Sequence, residues 1–346
     1  MLTPLRRRLV IPGLCLLLAV SILAAVAVGA VWMAPWASVR LIAWKLHLAP
    51  RPSDIPHSSE VILFQLRLPR VLLAAVVGAG LAAAGAVFQA LFRNPMADPA
   101  IIGVSSGAAL GAILVILWGG GAALGGMGVS GAAFVGAVAT AFLVYRLARL
   151  GPSVQVATLL LAGIAVAAIV SAAISLVMTF SGQEIRSIYF WLLGGLGARG
   201  WRSLGAAAPL VAGGVAVAMV SAGDLNLTAL GEERAAQLGL EVERFKRLML
   251  AVGALLTAAA VSVAGLIGFV GLMTPHILRL LIGSDHRRLI PASVLGGAAF
   301  MVLADLAART AVSPEEIPVG AVTAVLGGPF FLYLLRRERR AAGARV

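Results

Sequence analysis

Apolar residues occur along this chain in long runs that short charged or Gly- and Pro-rich segments separate. The runs lie at 9–33, 69–92, 101–118, 124–145, 154–180, 203–222, 247–266, 268–283, 290–308 and 317–335. Most approach the length of about 20 residues that an α-helix needs to cross a bilayer. They are too long and too unbroken for a membrane β-barrel, whose strands have about ten residues of alternating polarity. The pattern predicts an all-α polytopic membrane protein with ten transmembrane helices.

One boundary in this set depends on glycine alone. The apolar run from 247 to 283 is interrupted only at Gly265 and Gly268. Glycine adopts backbone conformations that a helix does not use, and a pair of glycines therefore favours a break. We expect the seventh and eighth spans to divide there.

Composition agrees with a membrane protein, and charge gives its orientation. The hydrophobic fraction is 61% and the charged fraction 12%, against about 45–50% and about 25% in soluble domains. The net charge of +13 is basic enough for a nucleic-acid-binding protein, but in a membrane protein basic residues first mark cytoplasmic loops. With ten spans and the N-terminus inside, 18 of the 27 Lys and Arg residues lie on the inner side and 9 on the outer side. This bias predicts that both termini are cytoplasmic and gives no reason to expect nucleic acid.

Sequence signals for catalysis or for a resident cofactor are missing. An ATP-binding loop ends in Gly-Lys-Ser/Thr, whereas Lys45 and Lys246, the two lysines, follow Trp44 and Phe245. A GxGxxG occurs at 195–200 between two apolar spans with no strand before it. The four histidines have no metal-ligand spacing, and the chain has one cysteine. We predict no catalytic site, no metal site and no permanently bound cofactor, and we do not expect an enzyme.

Two further segments carry polar residues in a regular arrangement. The longest inner loop, 223–247, has a helix-forming composition broken at Gly231 and Gly239, which predicts two short helices at the cytoplasmic face. In the ninth span, Asp305 lies four residues before Arg309. This spacing places both on one helix face, where pairing lowers the cost of burying each charge. No unpaired acid stands near the middle of a span, which argues against a proton-coupled carrier.

Several segments together resemble a known family. The longest is RLPRVLLAAVVGAGLAAAGAVFQALFRNPMADPAIIGVSSGAALGA (67–112), followed by ALGEERAAQLGL (229–240), GFVGLMTPHILRL (268–280), DHRRLIP (285–291), LADLAAR (303–309) and IPVGAVTAVLGGPFF (317–331). They are similar to the membrane-spanning permease subunits of bacterial type II ABC importers for iron–siderophore complexes, haem and cobalamin. The resemblance implies one transmembrane domain over residues 1–346, like that of vitamin B12 importer permeases, in the bacterial inner membrane.

The resemblance also implies partners and site residues. It implies a homodimer around one translocation path, a cytoplasmic ATPase dimer that holds ATP and Mg²⁺, and a periplasmic substrate-binding protein. For docking of the binding protein it implies Arg67, Arg70 and Arg309, which we treat as an exposed cluster that attracts an acidic partner; lipid headgroup binding and pairing with Asp305 are the alternatives. For coupling to the ATPase through 223–247 it implies Gly231, Glu232, Glu233, Ala236 and Gly239. For the cytoplasmic gate it implies Asn94, Met96, Gln155 and Val156, although the family commonly has small hydroxyl residues before the fifth span, where this chain has Gln155-Val156-Ala157.

Cargo is the least determined property. The stretch SGQEIRSIYFWLLGGLGARGW (181–201) and the GVSSGAALGA segment (103–112) resemble haem importers more than the other branches, which predicts haem or another iron complex as cargo. Ferric siderophores and cobalamin remain open within the family. An ATP-independent carrier or channel, and a receptor or assembly scaffold, are the alternatives from other classes.

Overall fold

The computed structural model describes residues 4–29, 32–119, 127–150, 153–197 and 199–343. Its helices are α1 (Pro4–Ala27), α2 (Pro35–Lys45), α3 (His57–Val61), α4 (Leu68–Leu91), α5 (Val104–Leu117), α6 (Met127–Ala148), α7 (Val156–Thr179), α8 (Ile185–Leu193), α9 (Trp201–Val220), α10 (Ala222–Thr228), α11 (Glu232–Gln237), α12 (Val242–Ala264), α13 (Val270–Ile282), α14 (His286–Thr310) and α15 (Val319–Gly343). A π-helical turn (Ile62–Arg67) joins α3 to α4, and a 3-10 turn (Pro99–Ile102) precedes α5. The two-residue strands β1 (Arg149–Leu150) and β2 (Ser153–Val154) pair antiparallel between α6 and α7.

Within the described residues, seven helical stretches are long and apolar enough to cross a membrane. They are Leu9–Ala27 of α1, the continuous stretch His57–Leu91 that contains α3 and α4, and α6, α7, α9, α12 and α14. Three shorter apolar helices accompany them: α5, α13 and the Val319–Leu334 part of α15. The chain is therefore a polytopic helical membrane protein.

The second helical span begins earlier than the hydropathy pattern predicts. The expected span is 69–92, but the helical stretch already begins at His57. Arg67 and Arg70 stand at the expected start of the span, because charged residues usually mark an end of a membrane helix. The structure provides internal partners for both guanidinium groups, so the helix continues past them.

Helix α4 lies at the centre of the bundle, and small residues allow its close contacts. It packs against α9, α12, α13 and α14. A methyl group at Gly78 would overlap the backbone of Gly297 in α14, and one at Gly85 would overlap the backbone of Gly271 in α13. In lipid no hydrophobic drive holds helices together, so close backbone approach of this kind supplies much of the packing.

The predicted break between the seventh and eighth spans is confirmed. Helix α12 ends at Ala264, Gly265 has φ +72°, and α13 begins at Val270. The break lies at the depth of the middle of α4, because Gly271 approaches the carbonyl of Leu81. Irregular backbone at such depth is tolerated where protein covers it, and here Gly195 N donates to the Ala264 carbonyl over 2.8 Å.

Helix α7 leaves most of its apolar surface uncovered. Only 17% of its most hydrophobic window is buried in this chain, against 72% for α12. Exposed apolar side chains follow it from end to end: Leu161, Ile164, Ile169 and Leu176. A surface of this kind faces lipid or another protein.

Candidate docking and coupling sites

Arg70 and Asp305 form a buried ion pair at one end of the bundle. Arg70 Nε lies 3.1 Å from both carboxylate oxygens of Asp305, and Nη2 lies 2.9 Å from Oδ1. The Nη1 group donates to Oε1 of Glu316 over 2.8 Å. The Asp305 side chain is 1% exposed and that of Glu316 is 47% exposed, so one partner of Arg70 is in the core and the other is at the surface.

Arg67 and Arg309 hold the end of α1. Nη1 of Arg67 donates to the carbonyls of Val26 and Ala27, each over 2.9 Å. Nη2 of Arg309 donates to the carbonyl of Ala25. The last carbonyls of a helix lack intrahelical partners and carry partial negative charge, so guanidinium groups suit this position.

The expectation that these arginines form an exposed cluster is wrong for this chain. Arg67 is 6% exposed and Arg309 is 8% exposed, because each is folded onto α1 rather than directed into solvent. The predicted pairing of Asp305 with Arg309 is present but long, with Nε 3.8 Å from Oδ2. Arg70 supplies the closer contacts. A role of the three arginines in docking remains a prediction.

A cavity adjoins this cluster. It has a volume of about 340 Å³, and its charged lining consists of Arg70, Arg199, Asp305 and Glu316. Within the described residues no hydrogen bond or ion pair engages the Arg199 guanidinium, so it is available to a ligand. No motif in the sequence marks Arg199 or Glu316 as site residues, and only the fold brings them beside Arg70.

The two short helices predicted in segment 223–247 are present as α10 and α11. Gly231 (φ +110°) separates them and Gly239 (φ +91°) follows α11, conformations that favour glycine. Leu230 and Leu238 are 53% and 61% exposed. The pair therefore presents apolar side chains at its surface.

The coupling residues divide between this surface and the bundle. Glu233 and Ala236 are exposed. Glu232 is half-exposed and pairs with Lys246 over 3.1 Å, and Lys246 also contacts Glu243 over 2.7 Å. Through Lys246, α11 is connected to the first turn of α12.

The predicted gate residues lie in two loops near α10 and α11. In the first loop, Asn94 Oδ1 accepts from Met96 N over 2.9 Å. This loop lies beside Gly231, because a methyl group there would lie 3.9 Å from the guanidinium of Arg93. Gln155 is exposed and precedes Val156, the half-buried first residue of α7. That loop reaches α12 as well, since Val154 N donates to Glu243 over 3.2 Å. Both loops thus share one end of the bundle, and their function as a gate remains a prediction.

No group of three or more His, Cys, Asp or Glu residues that would hold a metal ion occurs within the described part of the chain.

Comparisons with known proteins show the family to which this chain belongs. The FecCD transport family model matches residues 17–337. The chain is 49% identical to the cobalamin import permease BtuC of Halobacterium salinarum, over 89% of this chain and 81% of the relative. It is 44% identical to the hemin transport permease HmuU of Yersinia pestis, over 80% and 84%.

A solved structure agrees with these matches. A metal-chelate type ABC transporter in an inward-facing conformation superposes with a TM-score of 0.81, at 32% identity, over 94% of this chain and 98% of the other. Apolar helices able to span a membrane, the family match and these relatives lead to one conclusion: the chain belongs to the FecCD transport family and is a permease of an ABC importer.

Proposed function

We propose that this chain moves haem or cobalamin inward across the bacterial inner membrane at the expense of ATP that a separate subunit hydrolyses. The match to FecCD permeases over nearly the whole chain carries the proposal. The relatives at 49% and 44% identity have names that state cobalamin and hemin as cargo. These names favour cobalamin or haem over ferric siderophores as cargo. Of the two, the sequence resemblance predicts haem.

The proposed topology has ten transmembrane helices and both termini in the cytoplasm. Seven long and three shorter apolar helices of the described residues supply the ten. The distribution of basic residues supports this orientation, which places α10, α11 and the two gate loops inside and the Arg70 cluster outside.

The proposed active form is a homodimer. Helix α7 exposes Leu161, Ile164, Ile169 and Leu176, more apolar surface than the central helices leave uncovered. A second copy facing α7 would enclose a path between the protomers, with the loops of Asn94, Met96, Gln155 and Val156 at its cytoplasmic end.

The proposed ATPase dock is the α10–α11 surface. A permease without a phosphate-binding loop needs a partner that hydrolyses ATP. Exposed Leu230 and Leu238, flanked by Glu233 and Ala236, supply an apolar patch with a polar edge, which is the composition of a protein interface.

The proposed dock for the binding protein is the cavity beside Arg70. The arginines that line this cavity or the neighbouring one are Arg67, Arg70, Arg199 and Arg309. The acids in the same linings are Asp305 and Glu316, so the net charge is positive and favours an acidic partner. A carboxylate of the binding protein would reach Arg199 directly and would compete with Glu316 for Arg70.

Uptake into proteoliposomes tests the cargo. The permease is reconstituted with its ATPase and binding protein, and ATP-driven uptake of haem, cyanocobalamin and a ferric siderophore is compared. Uptake of haem or cyanocobalamin is the expected result. Uptake of the siderophore alone would contradict the proposed cargo.

A further inference from the structure

The side chain of Asn226 joins α10 to the start of α14. Its Nδ2 donates to Oδ1 of Asp285 over 2.8 Å, and its Oδ1 accepts from the backbone N of His286 over 2.9 Å. The same oxygen lies 2.8 Å from Nδ1 of His286. One amide therefore makes three polar contacts with two consecutive residues that are 59 and 60 positions away in sequence.

The start of α14, which Asn226 contacts, makes further contacts of its own. Asp285 is the N-cap residue of α14, and its Oδ1 accepts from Arg287 N over 3.1 Å. The hydrogen bond from Asn226 is the main reason that the pKa of Asp285 is lowered. An ionised cap suits the positive end of the helix dipole. His286 is 3% exposed, and a methyl group at Gly223 would lie 3.3 Å from the Arg287 guanidinium, so α10 rests directly on this turn.

The other end of the same helix carries the ion pair with Arg70. Asp305 lies 20 residues after Asp285, about 30 Å along an α-helix. The close backbone contact of Gly297 with Gly78 fixes α14 against α4, the helix that carries Arg70. Because α4 and α14 are in contact there, a displacement of the start of α14 would reach both partners of the ion pair.

We propose that Asn226 is a positioning residue that transmits movement of α10 and α11 to α14, and so couples the ATPase dock to the outer arginine cluster. The inference rests on the proposed function, because it needs an ATPase to move α10 and α11. Transmission through Lys246, which joins α11 to α12, is the competing route. The two routes differ in their dependence on Asn226.

The variant Asn226→Asp keeps the side chain's size and its acceptor for His286, but it places a carboxylate oxygen against Asp285. In proteoliposomes with the ATPase and binding protein, we measure ATP hydrolysed per molecule of cyanocobalamin or haem transported, using the compound that the wild type takes up. We expect about ten times more ATP per molecule transported, a coupling loss within the usual range. The ATPase subunit should still co-purify.

The reciprocal variant tests whether the contact itself is responsible. In N226D/D285N one amide again faces one carboxylate, and we expect a cost in ATP within about threefold of wild type. Gln183→Glu makes the same amide-to-acid change at an exposed residue between α7 and α8 and should match the wild type.

Two results would overturn the inference. The first is that N226D hydrolyses as little ATP per transported molecule as the wild type does. The second is that N226D/D285N hydrolyses as much ATP per transported molecule as N226D does. Absence of ATP-driven uptake by the wild type would instead contradict the proposed function, so the two failures are distinguishable.

Discussion

Arg70 donates to both carboxylate oxygens of Asp305, a residue 235 positions later in the chain, at distances of 2.9 to 3.1 Å. This pair joins α4 to α14 and gives the buried Asp305 carboxylate its closest partner, since Arg309 lies 3.8 Å away. It also places Arg70 between a core carboxylate and the surface carboxylate of Glu316.

Replacing the buried acid should destabilise the bundle. Asp305→Asn removes the charge that compensates Arg70 and Arg309, and loss of one partner of a buried pair costs about 3–5 kcal/mol. We expect a clearly lower melting temperature of the purified permease. Glu316→Gln is the matched control, because its side chain is 47% exposed and exposed pairs contribute about 0–1 kcal/mol. Equal shifts for the two variants would contradict the assignment of Asp305 to the core.

Close helix contact predicts a strong difference between glycines. Gly85→Val places a side chain into the backbone of Gly271 and should cause loss of monodisperse protein on size-exclusion chromatography, since overpacking typically costs about 1–3 kcal/mol and more against backbone. Gly131→Val, in α6, has no neighbouring atom within 4 Å and should elute as wild type. Tolerance of G85V would show that α4 and α13 are not in contact.

An acidic residue on the proposed ATPase dock should weaken binding of the ATPase. Leu238→Asp introduces charge into an apolar patch, and we expect about tenfold weaker binding, equivalent to about 1.4 kcal/mol, measured by co-purification from detergent. Leu46→Asp is the matched control, because Leu46 is 62% exposed and Leu238 is 61% exposed. Leu46 lies at the proposed outer face, so L46D should bind the ATPase normally. If L46D and L238D behave alike, α11 is not the dock.

The cavity beside Arg70 should depend on Arg199, which has no ion-pair partner among the described residues. We expect Arg199→Glu to weaken binding of the binding protein by about tenfold at low salt, because it reverses the charge that meets an acidic partner. Added salt should reduce the difference, since exposed charges are screened. Arg202→Glu changes an exposed arginine that is not among the residues lining the cavity and should have a smaller effect. An R199E affinity equal to that of R202E would remove Arg199 from the dock.

Local features were predictable from the sequence, and long-range partners were not. The breaks at Gly231, Gly239 and Gly265 were predictable because glycine backbone preferences are local. The buried state of Arg67 was not, since its acceptors are carbonyls of Val26 and Ala27 about 40 positions away. Carbonyls carry no residue-specific signal, so the sequence alone predicts an exposed charge near the end of a span.

The same limit applies to the end of the bundle that carries α10 and α11. The composition of 223–247 predicted two short helices, but the contact of Asn226 with Asp285 depends on how α10 meets α14. The hydropathy pattern predicted most of the apolar helices because apolar length is a property of the segment itself, but it missed the start of the second stretch at His57. Which spans are central depends on packing, and only the fold shows α4 in the middle.

ATP dependence of cargo uptake tests the central claim most directly. Proteoliposomes that contain the permease, its ATPase and its binding protein are loaded with ATP or with a non-hydrolysable analogue, and uptake of cyanocobalamin and haem is followed. The proposed function predicts uptake with ATP and none with the analogue or without the ATPase subunit. Equal uptake under all three conditions would mean that the chain is an ATP-independent carrier or channel.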